Sequence, residues 1–303
     1  MSILLLGKDG QVGWQLQRSL APHGQVVACG RAECDLADPA RIRSVIRQVR
    51  PALIVNATAY TAVDKAESEP ELAHRINAEA PGVLAEEAAA LGALLVHYST
   101  DYVYDGCKTT PYVETDATGP HGVYGRTKLA GEEAIRAVGG KSLIFRTSWV
   151  FGARGGNFVK TILRLARDTE SLAVVDDQIG SPTPAALIAT VTGVVLAMLR
   201  RGQLLEAGEN RLYHLAAAHP VSWCEFARTI VGLAGPAPGF DLRLKPEAIR
   251  PITTAEYPTP ARRPANSRLD CTRLENDFGL QMPDWQPYLV RMLQLLALKQ
   301  NGY

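Results

Sequence analysis

The chain begins with a short apolar run, Ile3-Leu4-Leu5-Leu6, which breaks into GKDGQVG with glycine at positions 7, 10 and 13. Glycine gives up more conformational freedom on folding than any other residue, so such a cluster answers a demand made by the backbone. One such demand is an ordinary turn. The other is a strand feeding a helix whose first amides are left bare. Unpaired N–H groups and the helix dipole then favour an anion, and a side chain would obstruct its approach. The spacing G-x-x-G-x-x-G departs from the G-x-G-x-x-G of many dinucleotide sites, so the triplet takes its meaning from the elements around it.

Those elements alternate. Residues 3–6 read as a strand and 11–20 as a helix, followed by a strand at 25–29. Asp38 caps a helix with Pro39 at its first position, and Pro51 stops it. A strand at 53–55 precedes a helical region that opens at Pro70, is interrupted at Pro81 and resumes through LAEEAAAL to Gly92. Strands at 93–99 and 143–146 flank a helix at 124–136. Strands alternating with helices predict an α/β fold: a doubly wound parallel sheet, Rossmann-like, covered on both faces. Near residue 150 the pattern changes to glycine loops, a helix at 158–167, a short strand at 172–175 and a run containing Pro258, Pro260 and Pro264. This predicts a smaller irregular α/β lobe. The expected division is 1–150 with 176–217 for the dinucleotide, and 151–175 with 218–303 for a sugar nucleotide.

Composition narrows the function. The 303 residues suffice for a large core without staples. Thirty-two basic against 31 acidic residues give a net charge of +1, which offers nothing to nucleic acid or an anionic membrane. The five cysteines, Cys29, Cys34, Cys107, Cys224 and Cys271, have no C-x-x-C spacing. A reducing, cytoplasmic location without disulfides is expected. The weakly polar stretch 185–199 is shorter than the roughly 20 residues of a bilayer span.

Two further features carry chemistry. YGRTK sets Tyr124 and Lys128 four apart at a helix start, on one face and about 6 Å apart along the axis. A phenol has an unperturbed pKa of about 10, and a neighbouring ammonium favours its ionised form. Upstream, a strand ends in Tyr98-Ser99-Thr100-Asp101, which puts Thr100 at the carboxyl edge of the sheet, where open α/β sheets bind ligands. At the end of the second strand stands Gly30-Arg31. An arginine there either meets a phosphate on the adenosine ribose, favouring NADPH over NADH, or is a solvated surface charge. Asp35 and Leu36 either border the adenine or belong to a turn.

The order Gly7-Gly10-Gly13, Thr100, Tyr124-x-x-x-Lys128 resembles the extended short-chain dehydrogenases/reductases. GKDGQVGWQLQRSL, NATAYTAVDKAESEP, HYSTDYVYDG, VYGRTKLAGE, IFRTSWVFG and YPTPARRPANSRLD, between residues 7 and 270, are similar to the dTDP-4-dehydrorhamnose reductases within that family. The resemblance implies a reductase that takes hydride from NADPH, with NADH possible, to the C4 carbonyl of dTDP-4-dehydro-L-rhamnose. It implies that Tyr124 protonates the carbonyl oxygen, that Lys128 holds the nicotinamide ribose and lowers the tyrosine pKa, and that Thr100 orients the pair. It places Gly10, Gln11 and Val12 on the pyrophosphate, Asp35 and Leu36 near the adenosine, and Ala59, Tyr60 and Thr61 along the cofactor groove. It places Thr100, Asp101 and Trp149 on the sugar nucleotide. Arg262 and Arg263, in their proline-stiffened loop, are suited to a diphosphate.

Some members of the family hold magnesium between subunits with acidic residues. Here the corresponding first-helix position is Gln15, and AALIAT and RMLQLLALKQ carry no carboxylate. No metal is expected, and the chain is expected to be a monomer or weak homodimer. Two rivals stand beside the reductase. One is another sugar-nucleotide 4-ketoreductase or an epimerase; dehydratases place Asp-Glu after the threonine, whereas here Asp101 precedes Tyr102. The other is a non-enzymatic regulatory subunit that keeps the dinucleotide fold.

Overall fold

The computed structural model describes residues 1–200, 209–237 and 239–300. Parts of the expected division, 201–208, 238 and 301–303, lie outside the described residues. Six parallel strands form the main sheet: β1 Ser2–Leu6, β2 Gln25–Cys29, β3 Leu53–Asn56, β4 Leu94–Thr100, β5 Ser142–Thr147 and β10 Asn210–His214, in the spatial order β2-β1-β3-β4-β5-β10. The chain winds outward one way from β1 and the other way from β3. The switch point therefore lies between these two strands, and a crevice opens at their carboxyl ends.

Side-chain alternation along β1 builds two cores at once. Ile3 and Leu5 join Leu16 and Leu20 of α1 (Gln11–Leu20) and the apolar face of α8 (Ala185–Arg200). Leu4 and Leu6 join Ile42 and Ile46 of α2 (Pro39–Val49), Leu84 of α5 (Ala80–Leu91) and Ile135 of α6 (Val123–Val138). A strand buried on both faces has no polar side to alternate with, so its sequence is an unbroken apolar run.

Two short helices, α3 Val63–Ala66 and α4 Pro70–His74, precede α5. The expected break at Pro81 is corrected: the helical path is continuous. The irregularity precedes the proline, in one π-helical turn at Arg75–Glu79, where the Ala80 N–H reaches back to the Arg75 carbonyl. The wider turn absorbs the lost amide and the ring clash, so no break is needed.

The second half returns to the same core. Strand β6 (Val150–Phe151) pairs with β9 (Thr183–Pro184), β7 (Leu172–Val175) with β12 (Ile249–Ile252), and β8 (Ile179–Gly180) with β11 (Val221–Ser222) and β13 (Asn266–Ser267). Helices α7 (Phe158–Asp168) and α9 (Trp223–Ala234) pack beside these pairs, and α10 (Thr272–Phe278) and α11 (Gln286–Gln300) close the chain. Phe151, Phe226, Ile249 and Trp285 are continuous with the core under β1 and β5.

A buried ion pair ties α6 to the sheet. Arg146 of β5 donates from Nε and Nη2 to the two carboxylate oxygens of Glu132, at 2.9 and 2.7 Å. Ser99 of β4 donates to the same carboxylate at 2.5 Å, and Arg136 also reaches it. The third guanidinium contact, Nη1 to the Tyr104 hydroxyl at 2.7 Å, fixes the loop after β4. Removing one partner of such a pair strands a charge in the interior, at a cost of about 3–5 kcal/mol. Arg146→Met should therefore lose about that much stability, visible as a lower midpoint in urea unfolding with an unchanged slope.

Candidate active site

The three glycines divide their roles. Gly7 has φ +88°, and a Cβ there would lie 2.8 Å from the Ala57 carbonyl oxygen. A Cβ on Gly13 would lie 2.0 Å from the Gly7 carbonyl oxygen, so its bare backbone is what lets α1 seat against the end of β1. Gly10 is different. Its φ of −74° suits any residue, and its nearest neighbour would be 3.4 Å from a Cβ. The space beside it is open. No side chain caps α1, so its first N–H groups face that space.

This opening is part of a cleft of about 650 Å³. Of the predicted dinucleotide residues, Gly7, Gly10, Gln11, Val12, Arg31, Asp35, Leu36, Ala59, Tyr60, Thr61, Tyr124 and Lys128 line it, and Gly13 faces Gly7 instead. The cleft therefore joins the glycine loop to the Tyr-x-x-x-Lys pair. Bare amides at a helix end and the open space beside Gly10, where a Cβ would meet no atom closer than 3.4 Å, suit a dinucleotide. At the end of the cleft nearest β2, Arg31 is exposed and donates to Asp35 at 3.2 Å. The Ala37 N–H and then Arg31 hold the Asp35 carboxyl below its usual range.

Helices deliver the reactive groups. Gly122 caps α6 without a side chain, and Glu67 supplies the cap from elsewhere, accepting from the Val123 N–H at 2.8 Å. A Cβ on Gly125 would lie 2.2 Å from the Tyr102 carbonyl, so the glycine of YGRTK lets α6 press against the end of β4. Asn77 pins the loop over the cleft, accepting from the Tyr60 N–H at 2.8 Å and donating to the Tyr60 carbonyl at 3.1 Å. Glu67 and Asn77 escaped the sequence reading, because each acts through a backbone group remote in the chain.

Tyr124 meets the Tyr102 ring edge-on, with centroids 5.4 Å apart. Burial raises the Tyr124 pKa and the Thr100 hydroxyl partly offsets this. Lys128, which the resemblance expects to lower it, is not among the groups that shift it here. Lys128 Nζ donates to the Tyr98 carbonyl at 2.7 Å and lies 3.1 Å from His97 Nε2. Burial pulls Lys128 down to about 8. Thr100 donates to Asp101 Oδ1 at 3.0 Å, while Asp101 Oδ2 has no hydrogen-bond partner. Burial pushes the Asp101 carboxyl up to about 6.

Trp149 stacks face to face on Trp223, centroids 3.4 Å apart, in a left-handed backbone conformation with φ +46°. One face of its indole is thus taken within the protein. Trp223, Phe158, Val174, Gln178, Tyr257 and Arg263 line a second hollow of about 370 Å³ that the sequence reading did not find. Its walls come from five separate segments, including Asp64 and the proline-stiffened loop around Arg263. Arg263 reaches from this hollow to Tyr102, donating to its hydroxyl at 3.4 Å and to Asp64 Oδ2 at 2.6 Å. Arg262 stands exposed beside it.

A family model described as the RmlD substrate binding domain matches residues 1–298. The chain belongs to this family. It is 47% identical over 304 residues to the dTDP-4-dehydrorhamnose reductase of Escherichia coli strain K12, covering 98% of both chains. Against the Burkholderia thailandensis protein of the same name it is 48% identical, over 94% of this chain and 96% of that one. The crystal structure of the Bacillus anthracis dTDP-4-dehydrorhamnose reductase in complex with NADP superposes with a TM-score of 0.85 at 34% identity, covering 97% of this chain and 99% of that chain. A dTDP-glucose 4,6-dehydratase from Streptomyces venezuelae, 17% identical with a TM-score of 0.81, shares the fold. Among the described residues no helix is long and apolar enough to cross a membrane.

Two outcomes follow from the glycines and the buried acid. Gly10→Ala should leave the melting temperature within a few degrees of wild type and weaken NADP binding at least tenfold by calorimetry. Gly13→Ala should instead lower the melting temperature sharply. For Asp101, the folded value of about 6 exceeds the 3.8 of an ordinary aspartate, so the folded state binds more protons between the two. Stability falls as pH rises through that window and levels off above it. Asp101→Asn should flatten this segment of the stability–pH curve measured by denaturant titration, and be the more stable protein at pH 7.

Proposed function

We propose that this chain reduces the C4 carbonyl of dTDP-4-dehydro-L-rhamnose to give dTDP-L-rhamnose, using NADPH. The observation that carries this reading is the single cleft shared by the open Gly10 backbone and the Tyr124–Lys128 pair. Identity of 47% along the whole of a reductase supports it.

When bound, the dinucleotide supplies the hydride. Gly10, Gln11 and Val12 would hold its pyrophosphate through their amides, Ala59 and Tyr60 would flank it, and Arg31 would meet a ribose phosphate. Tyr124 donates its phenolic proton to the carbonyl oxygen as C4 is reduced. Its burial suits this, because an acid must keep its proton until the substrate needs it. Thr100, by turning its hydroxyl hydrogen from Asp101 to the phenol oxygen, would steady the developing phenolate. Asp101, with one oxygen unpaired, is placed to take a sugar hydroxyl. Trp149 would border the sugar, although its indole is packed between Trp223 and Gly180, and Arg263, which lines the second hollow, would take the diphosphate with Arg262 at its flank.

Tyr102 stands where dehydratases of the superfamily carry a second acid, and its ring packs on Tyr124. No elimination base stands at that position. The same reading divides the chain into a dinucleotide domain, 1–150 with 176–217, and a sugar-nucleotide lobe, 151–175 with 218–303. It takes the enzyme as cytoplasmic and as a monomer or weak homodimer.

The test mixes purified protein with NADPH and dTDP-4-dehydro-L-rhamnose and follows nicotinamide absorbance. Wild type should turn over and Tyr124→Phe should lose about 10²–10⁴-fold in kcat, with NADP affinity changed less than about threefold. Turnover that survives the substitution removes Tyr124 as the acid; no turnover in wild type removes the reductase.

A further inference from the structure

Two amide side chains fasten the glycine loop to the second half of the chain. Asn157 stands just before α7, and its Oδ1 accepts from the Lys160 N–H at 3.2 Å, capping the helix. Its Nδ2 donates to the Gly152 carbonyl at 2.7 Å and to Gln11 Oε1 at 2.8 Å. A backbone N–H only donates and a carbonyl only accepts, so the Asn157 amide has one possible orientation. Gln11 is fixed in the same way. Its oxygen faces the Asn157 NH₂ group, and its Nε2 faces the Val150 carbonyl at 3.4 Å. Trp14, one turn along α1 on the same face, holds Arg154 over its ring, 3.8 Å from the centroid.

Each end of this staple belongs to a different ligand. Gln11 follows Gly10, and both line the dinucleotide cleft. Phe158, Thr161 and Ile162, at the start of the helix that Asn157 caps, line the second hollow. Phe158 also packs on Trp223, with centroids 4.5 Å apart, and Trp223 stacks on Trp149. Between the ends runs Gly152-Ala153-Arg154-Gly155-Gly156, with three glycines in five residues. Gly155 and Gly156 are exposed and line the cleft as well. A Cβ on Gly155, where φ is +65°, would lie 3.4 Å from Gln11 Cγ. The Gly155 carbonyl accepts from Lys160 Nζ at 2.7 Å, so the segment is tied to α7 too. Ordering so glycine-rich a segment is costly in entropy. Once one ligand has ordered it, a second that needs the same order binds more tightly.

We infer that the Gln11–Asn157 hydrogen bond couples the two hollows, so that NADP in the cleft raises the affinity of the second hollow for a nucleoside diphosphate.

That this hollow takes dTDP rests on the reductase reading above. The side chains of Gln11 and Asn157 are positioning groups: they fix the glycine loop and the first turn of α7 relative to each other. Linkage makes the effect reciprocal.

Calorimetry with dTDP, on free protein and on protein saturated with NADP, tests the coupling. Wild type should bind dTDP at least fivefold more tightly with NADP present, and NADP more tightly by the same factor with dTDP present. Gln11→Met keeps the backbone amide and the side-chain length but loses both hydrogen bonds. Asn157→Ser keeps a capping hydroxyl and is too short to reach Gln11. Each variant should still bind both ligands singly, with the coupling reduced to less than about twofold. The double variant should match the single ones, because both substitutions delete one contact. Should Asn157→Ser fail to fold, Gln11→Met decides alone. A staple that serves structure only would weaken or abolish dTDP binding alike with and without NADP, and that result overturns the inference. So does a wild type that binds dTDP equally well in both states, or not at all. The absorbance assay is independent of these titrations. Turnover without coupling removes only this inference, and coupling without turnover removes only the reductase reading.

Discussion

The carbonyl oxygen of Gly7 fills the space that a side chain at position 13 would need. The site depends on that close approach. It draws the first turn of α1 against the end of β1, so the helix amides open onto the crevice between β1 and β3. A larger residue at 13 would push the helix off the sheet, and the amides would lose their aim. Gly10 then leaves the approach clear, and the loop that Asn77 holds after β3 forms the opposite wall.

Beyond the crevice, burial decides where the protons sit. Desolvation pushes each ionisable group toward its neutral form. It raises Tyr124 and Asp101 and lowers Lys128 and His97. Four groups at the carboxyl edge of one sheet are moved by the same cause. The exception is Glu132–Arg146, buried yet charged, because the guanidinium meets both carboxylate oxygens and further donors satisfy the rest. That pair locks α6 to β5, and α6 carries both Tyr124 and Lys128. Groups shifted toward their neutral forms, on a charged and rigid anchor, suit a proton-transfer site.

The second half of the chain contributes shape more than motif. Its aromatic stack, Trp149 on Trp223 with Phe158 beside it, walls the second hollow. Arg263 crosses from that hollow to Asp64, one turn beyond the loop over the cleft. Arg263 and Asp64 both line this second hollow, so the ion pair forms part of its wall.

Much of this was legible in the residues. The unbroken apolar strands, the glycine triplet, Pro39 after Asp38 and the Tyr124–Lys128 spacing each reflect local physics: burial on two faces, backbone clearance, helix capping and helical period. These fixed the α/β order and the residues along the cleft. The proton positions were not legible, nor were the aromatic walls of the second hollow and the helper residues Glu67, Asn77 and His97. Four-residue spacing puts Tyr124 and Lys128 on one face but says nothing of where the lysine nitrogen turns. That was decided by a histidine and a carbonyl on another strand, 31 and 30 residues away in the chain. Sequence by itself determines what neighbouring residues impose on one another; desolvation and hydrogen-bond partners depend on which distant segments close over a group, and only the tertiary structure settles that.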